Sequence, residues 1–149
     1  MKKSDIKSTF FGIGIENGKN SINYGTLMRS AFAFGASFTF LIGRRFKYQC
    51  SDTVRTYTKI PHYQCKSLDD LPIPYGCPLV GVEIHKKAVD LRTFEHPKNC
   101  IYLLGAEDNG LSDSALKKCH RLVYIDTKFC LNVSTAGTVV MYDRSTKVK

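Results

Sequence analysis

The chain reads as an α/β protein, a parallel sheet flanked by helices, and three observations point there. Short apolar runs bounded by glycine or polar residues recur at residues 9–15, 37–42, 78–84, 100–104 and 122–125, and unbroken apolar runs of this length suit strands buried on both faces. Helical or loop segments separate them, which calls for βαβ crossovers. In the last third, the strands at 100–104 and 122–125 run into polar turns, Gly105-Ala106-Glu107-Asp108-Asn109-Gly110 and residues 126–137. Ligands of open α/β sheets bind where such turns leave the carboxyl ends of strands, so these two loops are the first place to look for a site.

The first strand carries Gly12-Ile13-Gly14. A dinucleotide fingerprint needs a third glycine at position 17, where Asn stands, so these glycines read as close packing within the strand. Asn17-Gly18-Lys19-Asn20 is a turn, and Asn23-Tyr24-Gly25 leads into a helix over residues 26–34, closed by Gly35 at C′. Leu27, Ala31 and Phe34 form its apolar stripe, widened by Met28 and Phe32. Arg29 lies off that stripe, one turn in, where the helix dipole prefers acids. That conflict marks it for a job, against the ordinary reading of a solvated surface Arg.

After the strand at 37–42, basic and aromatic residues interleave through Arg44, Arg45, Phe46, Lys47 and Tyr48, then Arg55, Tyr57 and Lys59. The mixture can hold an RNA backbone and stack bases, although a solvated charged loop has the same composition. Residues 49–78 hold four prolines and read as irregular apart from one helical turn at 68–71. Residues 88–94 are a short helix or loop. Ser112 N-caps a helix ending near Lys118, where Lys117 and Lys118 suit the dipole. The last helix, 133–142, gathers Val133, Ala136, Gly137, Val140 and Met141 on one face, its small residues admitting a close neighbour. The tail 144–149 reads as basic and frayed.

A chain of 149 residues fits one domain, which buries roughly 70% of the surface its unfolded chain exposes, so residues 1–149 read as a single domain. Its 22 basic against 13 acidic side chains leave a charge of +9. That surplus favours a polyanionic partner through counterion release; plain solubility is the alternative. The six cysteines, at 50, 65, 77, 100, 119 and 130, have neither zinc nor redox-motif spacing, so free thiols, no metal and a cytoplasmic location are expected. No run approaches the ~20 apolar residues that span a bilayer, and the first residues lack a signal-peptide pattern.

Three blocks stand in order: Asn23-x-Gly25-x-x-x-Arg29, Leu103-Leu104-Gly105-x-Glu107-x-x-Gly110-Leu111, and Leu131-Asn132-Val133-Ser134-x-Ala136. Together they resemble the three signature motifs of the SpoU/TrmH branch of the SPOUT superfamily, S-adenosylmethionine-dependent RNA ribose 2′-O-methyltransferases. The resemblance runs from about Thr9 to Arg144 and is nearest the minimal single-domain members that act on tRNA. It implies a C-terminal trefoil knot and a site shared across a homodimer. Neither follows from periodicity, and general topology rules argue against a knot.

By motif match, Arg29 is the residue the family places at the reacting hydroxyl. A guanidinium is not normally deprotonated in proteins, so it is expected to anchor phosphate and stabilise a developing alkoxide. Asn23, Glu107 and Asn132 match the polar residues bracing the site, and Ser134 either caps the last helix or sits near substrate. The matching cofactor positions are Val82, Gly105, Gly110, Ile125 and Leu131, with Glu107 and Cys130 beside them and Glu83 within reach of a ribose hydroxyl. Arg29, Arg44, Arg45, Lys47, Arg55 and Lys59 are the expected RNA contacts. Two positions depart from the family pattern: Cys130 stands where many members have Ser, and Asp126 where Pro is frequent. A thiol is a weak donor, so a contact made by that hydroxyl is weakened. The competing readings are an rRNA substrate, an inactive RNA-binding protein of the same fold, and a nucleotide-binding α/β protein whose phosphate loop is incomplete.

Overall fold

In the computed structural model, residues 9–44 and 51–149 are described. Seven strands form one sheet, all neighbours parallel: β1 (Phe10–Glu16), β2 (Phe38–Ile42), β3 (His62–Cys65), β4 (Leu79–Val82), β5 (Val89–Asp90), β6 (Asn99–Leu104) and β7 (Arg121–Tyr124). Their spatial order is β3-β2-β1-β6-β4-β7-β5. Three helices complete the fold, α1 (Ser21–Ala33), α2 (Asp113–Lys118) and α3 (Val133–Lys147).

The central strands are apolar between their ends because both faces are covered, with Glu16 closing β1 and Asn99 opening β6. Tyr102 and Leu104 of β6 join Ile13, Ile15, Leu27, Val140 and Met141 in the cluster under α1 and α3. Ile101 and Leu103 turn the other way, onto Phe38, Phe40, Leu79, Leu111 and Ala115 under α2. This alternation is the period-two consequence of a pleated strand. A Cβ on Gly12 would overlap the Phe38 ring, so the paired glycines of β1 serve strand packing.

Four expectations change. The first helix starts at Ser21, five residues early, because the Asn20 side chain accepts from the Ile22 amide at 2.9 Å and caps it. Asn23, Tyr24 and Gly25 are therefore helical, and Arg29 stands in the third turn, outside the reach of the dipole argument. Within the proline-containing stretch, β3 pairs with β2. It is a polar edge strand, invisible to an apolar pattern, and its prolines flank it. Residues 88–94 open with the two-residue β5 before a single 3-10 turn at Leu91–Thr93.

The fourth change concerns the tail. Helix α3 runs on to Lys147, and Arg144, 4% exposed, is the reason. Its guanidinium donates to Pro97 O at 2.6 Å, to Lys98 O and to Tyr102 Oη at 3.3 Å, and lies over the Phe11 ring. Next to it, His96 bridges Tyr102 Oη (2.6 Å) and the Asp143 carboxylate (2.8 Å), while Lys147 Nζ reaches Leu91 O at 2.7 Å. Burial pushes the His96 pKa down, against the pull of Asp143. Buried polar groups survive when bonded in this way.

The connectivity also places the loops. β5 follows β4 in sequence, yet β7 lies between them, so the link 83–88 spans the carboxyl end of β7. The chain leaving β7 then returns to the far side of the sheet, where α3 packs on α1, with Gly137 against Leu27. Among the described residues, no helix is long and apolar enough to cross a membrane.

Arg144→Ala leaves the Pro97 and Lys98 carbonyls, just ahead of β6, without their donor and opens a space beside Tyr102. Unfolding in urea should show a loss of about 3 kcal/mol; a loss below about 1 kcal/mol would mean that the helix end is loosely held.

Candidate functional site

The turn after β6 is closed on itself. Ala106 N donates to Gly110 O at 3.2 Å and Gly110 N to Ala106 O at 3.0 Å. A Cβ at residue 105 would collide with the Gly110–Leu111 backbone, so only glycine allows this approach. Glu107 projects from the closed turn toward the start of α1. Its Oε2 accepts from Lys19 N (3.0 Å), and its Oε1 from the Asn23 side-chain amide (2.8 Å) and Asn20 N (3.4 Å).

A third segment joins this pair. Asn132 caps α3, its Oδ1 accepting from Ser134 N (3.0 Å), Ser134 Oγ (2.6 Å) and Thr135 N (3.4 Å). Its amide group is left to donate, and does so to Asn23 Oδ1 at 3.0 Å. Asn23 in turn must donate to Glu107, which when ionised has acceptors only and no proton of its own. Burial raises the Glu107 pKa, but the donors from Lys19, Asn23 and Asn20 together hold it below the usual value. The cap is Asn132; Ser134, 4% exposed, supports it as a donor and is not itself the cap.

Beyond this chain of bonds lies a cavity of about 570 Å³ at the carboxyl ends of β4, β6 and β7, within the ~300–1,000 Å³ range of small-molecule sites. Val82, Gly105, Gly110, Ile125 and Leu131 line it, as do Glu83, Glu107 and Cys130. Its apolar wall is extended by Leu104, Val133 and Ala136. Three carboxylates, from Glu83, Glu107 and Asp108, face or edge the space, and no Lys, Arg or His is among the described residues that line it. Glu83 has less freedom for a sugar hydroxyl than expected, since its oxygens accept from Leu111 N (2.8 Å) and Ile84 N (2.9 Å). No group of His, Cys, Asp and Glu side chains among the described residues could hold a metal ion.

Arg29 is elsewhere. It is exposed, its side chain makes no hydrogen bond or ion pair with another described residue, and it lines an open recess of about 540 Å³ with Thr26, Ser30, Ser51 and Thr53. No residue is common to that recess and the first cavity. The turn behind it is held by buried Asp52, which accepts from Thr56 N (2.7 Å) and Thr56 Oγ1 (2.8 Å). Arg55 and Lys59 are exposed on that segment. Arg44 borders a third recess with Lys19, on the opposite side of the 106–110 turn. Arg45 and Lys47 lie outside the described residues.

Three contributors escape sequence reading. Lys19 and Asn20 act through backbone amides, for which no side-chain signal exists. Glu16 accepts from Ser112 N (2.9 Å) and Ser112 Oγ (2.7 Å); an acid closing an otherwise apolar strand was the available clue.

Residues 11–142 match the model of the SpoU rRNA Methylase family. No curated protein gives a significant match. Among solved structures, the chain superposes on the SpoU methyltransferase AviRb from Streptomyces viridochromogenes in complex with the cofactor AdoMet, with a TM-score of 0.79 and 22% identity over 95% of this chain and 62% of that one. It superposes on the A. aeolicus TrmH/SpoU tRNA modifying enzyme at 0.78, with 18% identity over 94% and 76%. A structure concerning 2-OH methylation of C/U34 on tRNA gives 0.77 and 18% identity over 93% and 97%. The chain thus spans about three fifths of AviRb and nearly all of the last.

Glu107→Gln places an amide against donors. It should cost about 1 kcal/mol at pH 7, near the low end for such a loss because the group is partly exposed. The folded-state pKa of Glu107 is depressed, so its stabilisation is present above about pH 5 and fades as pH falls through and below 4.5. Denaturation of both proteins across pH 3.5–7 should show the gap narrowing in acid; a constant gap contradicts the ionised acceptor.

Proposed function

The chain belongs to the SpoU rRNA methylase family, and from that premise we propose that it transfers a methyl group from S-adenosylmethionine to a ribose 2′-hydroxyl of RNA, with tRNA the preferred substrate class. The carrying observation is the charge of the cavity: three carboxylates line it, and no basic side chain among the described residues does. A polyphosphate cofactor needs donors at such a position. The amides entering α2 are spent internally, Leu111 N on Glu83 and Ser112 N on Glu16. A flat base between apolar walls and a cationic sulfonium near carboxylates suits this lining.

Bound there, the sulfonium supplies a methyl group already activated for displacement. The chain's own task is to hold and orient. Asn23, Glu107 and Asn132 tie together the three segments around the cavity, and ionised Glu107 keeps negative charge at its edge. Arg29 offers a guanidinium uncommitted to any described residue, fit to bind an RNA phosphate and to donate to the hydroxyl oxygen as its proton passes to solvent water. Its recess is separate from the cavity, so in this reading the Arg29 serving one cofactor comes from a second copy. Exposed Ile22 and Phe32 on α1 and Tyr142 on α3 supply apolar surface for such a homodimer.

The charge of +9 supports an RNA partner. The near-complete overlap with the structure concerning tRNA favours that class over rRNA. The path of link 83–88 across β7 supports a trefoil knot, with the 125–132 segment passing beneath the link; a crystal structure with that segment outside it contradicts the knot. The described cysteines are free thiols, in keeping with work in the cytoplasm.

Labelled-methyl transfer to bulk tRNA and rRNA tests the proposal. Label should appear in alkali-resistant dinucleotides from tRNA; label in rRNA alone would reassign the substrate, and none in either would favour an inactive RNA-binding protein. Arg29→Ala should leave S-adenosylmethionine affinity within about twofold while lowering turnover by 100-fold or more, on the order of one lost oxyanion donor. Light scattering at micromolar concentration that gives a monomer's mass contradicts the shared site.

A further inference from the structure

We infer that Glu16 is a positioning residue for the 105–110 turn, acting with Glu83 to set the wall of the cofactor cavity; the cofactor part rests on the function proposed above. β6 lies between β1 and β4, and each of these neighbours sends a carboxylate to the point where the chain leaves the turn. From β1, Glu16 takes both the amide and the hydroxyl of Ser112, at 2.9 and 2.7 Å. Just past β4, Glu83 takes the amide of Leu111, at 2.8 Å. Two consecutive residues are thus gripped from opposite sides.

Glu16 is 6% exposed and lines none of the three recesses. Burying a carboxylate is costly unless donors meet it, and here both donors belong to one residue. The bonds between Ala106 and Gly110 make the turn a closed unit. Glu107 and Asp108 tie its tip to Lys19, Asn20 and Asn23, and the freedom left to such a unit is a tilt about Gly105 and the exit at 111–112. Ala106, Asp108, Asn109 and Gly110 line the cavity on one side and the Lys19–Arg44 recess on the other. A tilt of the turn would therefore enlarge one space at the expense of the other, and the grip at Leu111 and Ser112 opposes it.

Hydrogen exchange followed by mass spectrometry, paired with S-adenosylmethionine calorimetry, tests this on the wild type, Glu16→Gln, Ser112→Ala and the double variant. Lys118→Ala, which breaks an ion pair with Asp69 away from the turn, is the control. In Glu16→Gln, peptides covering 105–112 should exchange about tenfold faster without cofactor, β1 and β6 should keep their protection, and Kd should rise about tenfold, the equivalent of one charge-assisted bond. Ser112→Ala also removes the α2 cap on Ala115 N, so its added loosening should fall on 113–116 while 105–110 in the double variant matches Glu16→Gln; Lys118→Ala should match the wild type. Wild-type protection of 105–112 in Glu16→Gln would overturn the inference, as would faster exchange throughout the sheet. Selective loosening in a protein that binds no S-adenosylmethionine would uphold the positioning role and reject the cofactor reading.

Discussion

The arrangement at the carboxyl end of the sheet depends on one directed chain of hydrogen bonds. It begins at the free amides of α3, passes through Asn132 and Asn23, and ends on the Glu107 carboxylate. Each member fixes the sense of the next. The α3 amides require an oxygen from Asn132, which leaves its NH₂ for Asn23, which leaves Asn23 only a donor for Glu107. Three segments far apart in sequence are thereby joined: the first turn of α1, the turn after β6 and the start of α3. Protonating Glu107 would weaken the terminal acceptor, setting a fourth proton among three donors, and affect all three.

Charge is divided unevenly over this frame. The protein as a whole is strongly basic, yet three carboxylates line the cavity, and the Lys19–Arg44 recess lies across the 106–110 turn. Lys19 is itself paired with Asp108. A basic exterior attracts a polyanion, while an acidic interior suits a cation. Arg29, separated from the cavity and uncommitted to any described residue, belongs to the first of these surfaces.

The central sheet was legible because its strands are buried on both faces and show as plain apolar runs. What was missed carries no such signal. β3 is a polar edge strand. The start of α1 depends on the Asn20 cap, in a stretch that also reads as a turn. The end of α3 reads as a solvated tail because Arg144 is charged, and only tertiary contacts reveal that loop carbonyls ahead of β6 and two aromatic rings enclose it. The site divides along the same line. Spacing placed two loops at the carboxyl end of the sheet, but nothing local says that Asn23, Glu107 and Asn132 touch. Their importance came from motif resemblance, and their contacts from the fold. Glu16 belongs to no motif in that resemblance and became visible only through Ser112.

The central claim is that the cavity beside Glu107 takes a cationic adenosyl ligand and refuses a phosphate-bearing one. Isothermal titration with S-adenosylmethionine and, separately, with NAD tests it most directly. Saturable one-to-one binding of S-adenosylmethionine per chain is expected, with no measurable heat from NAD at the same concentrations. Binding of NAD, with none of S-adenosylmethionine, would contradict it.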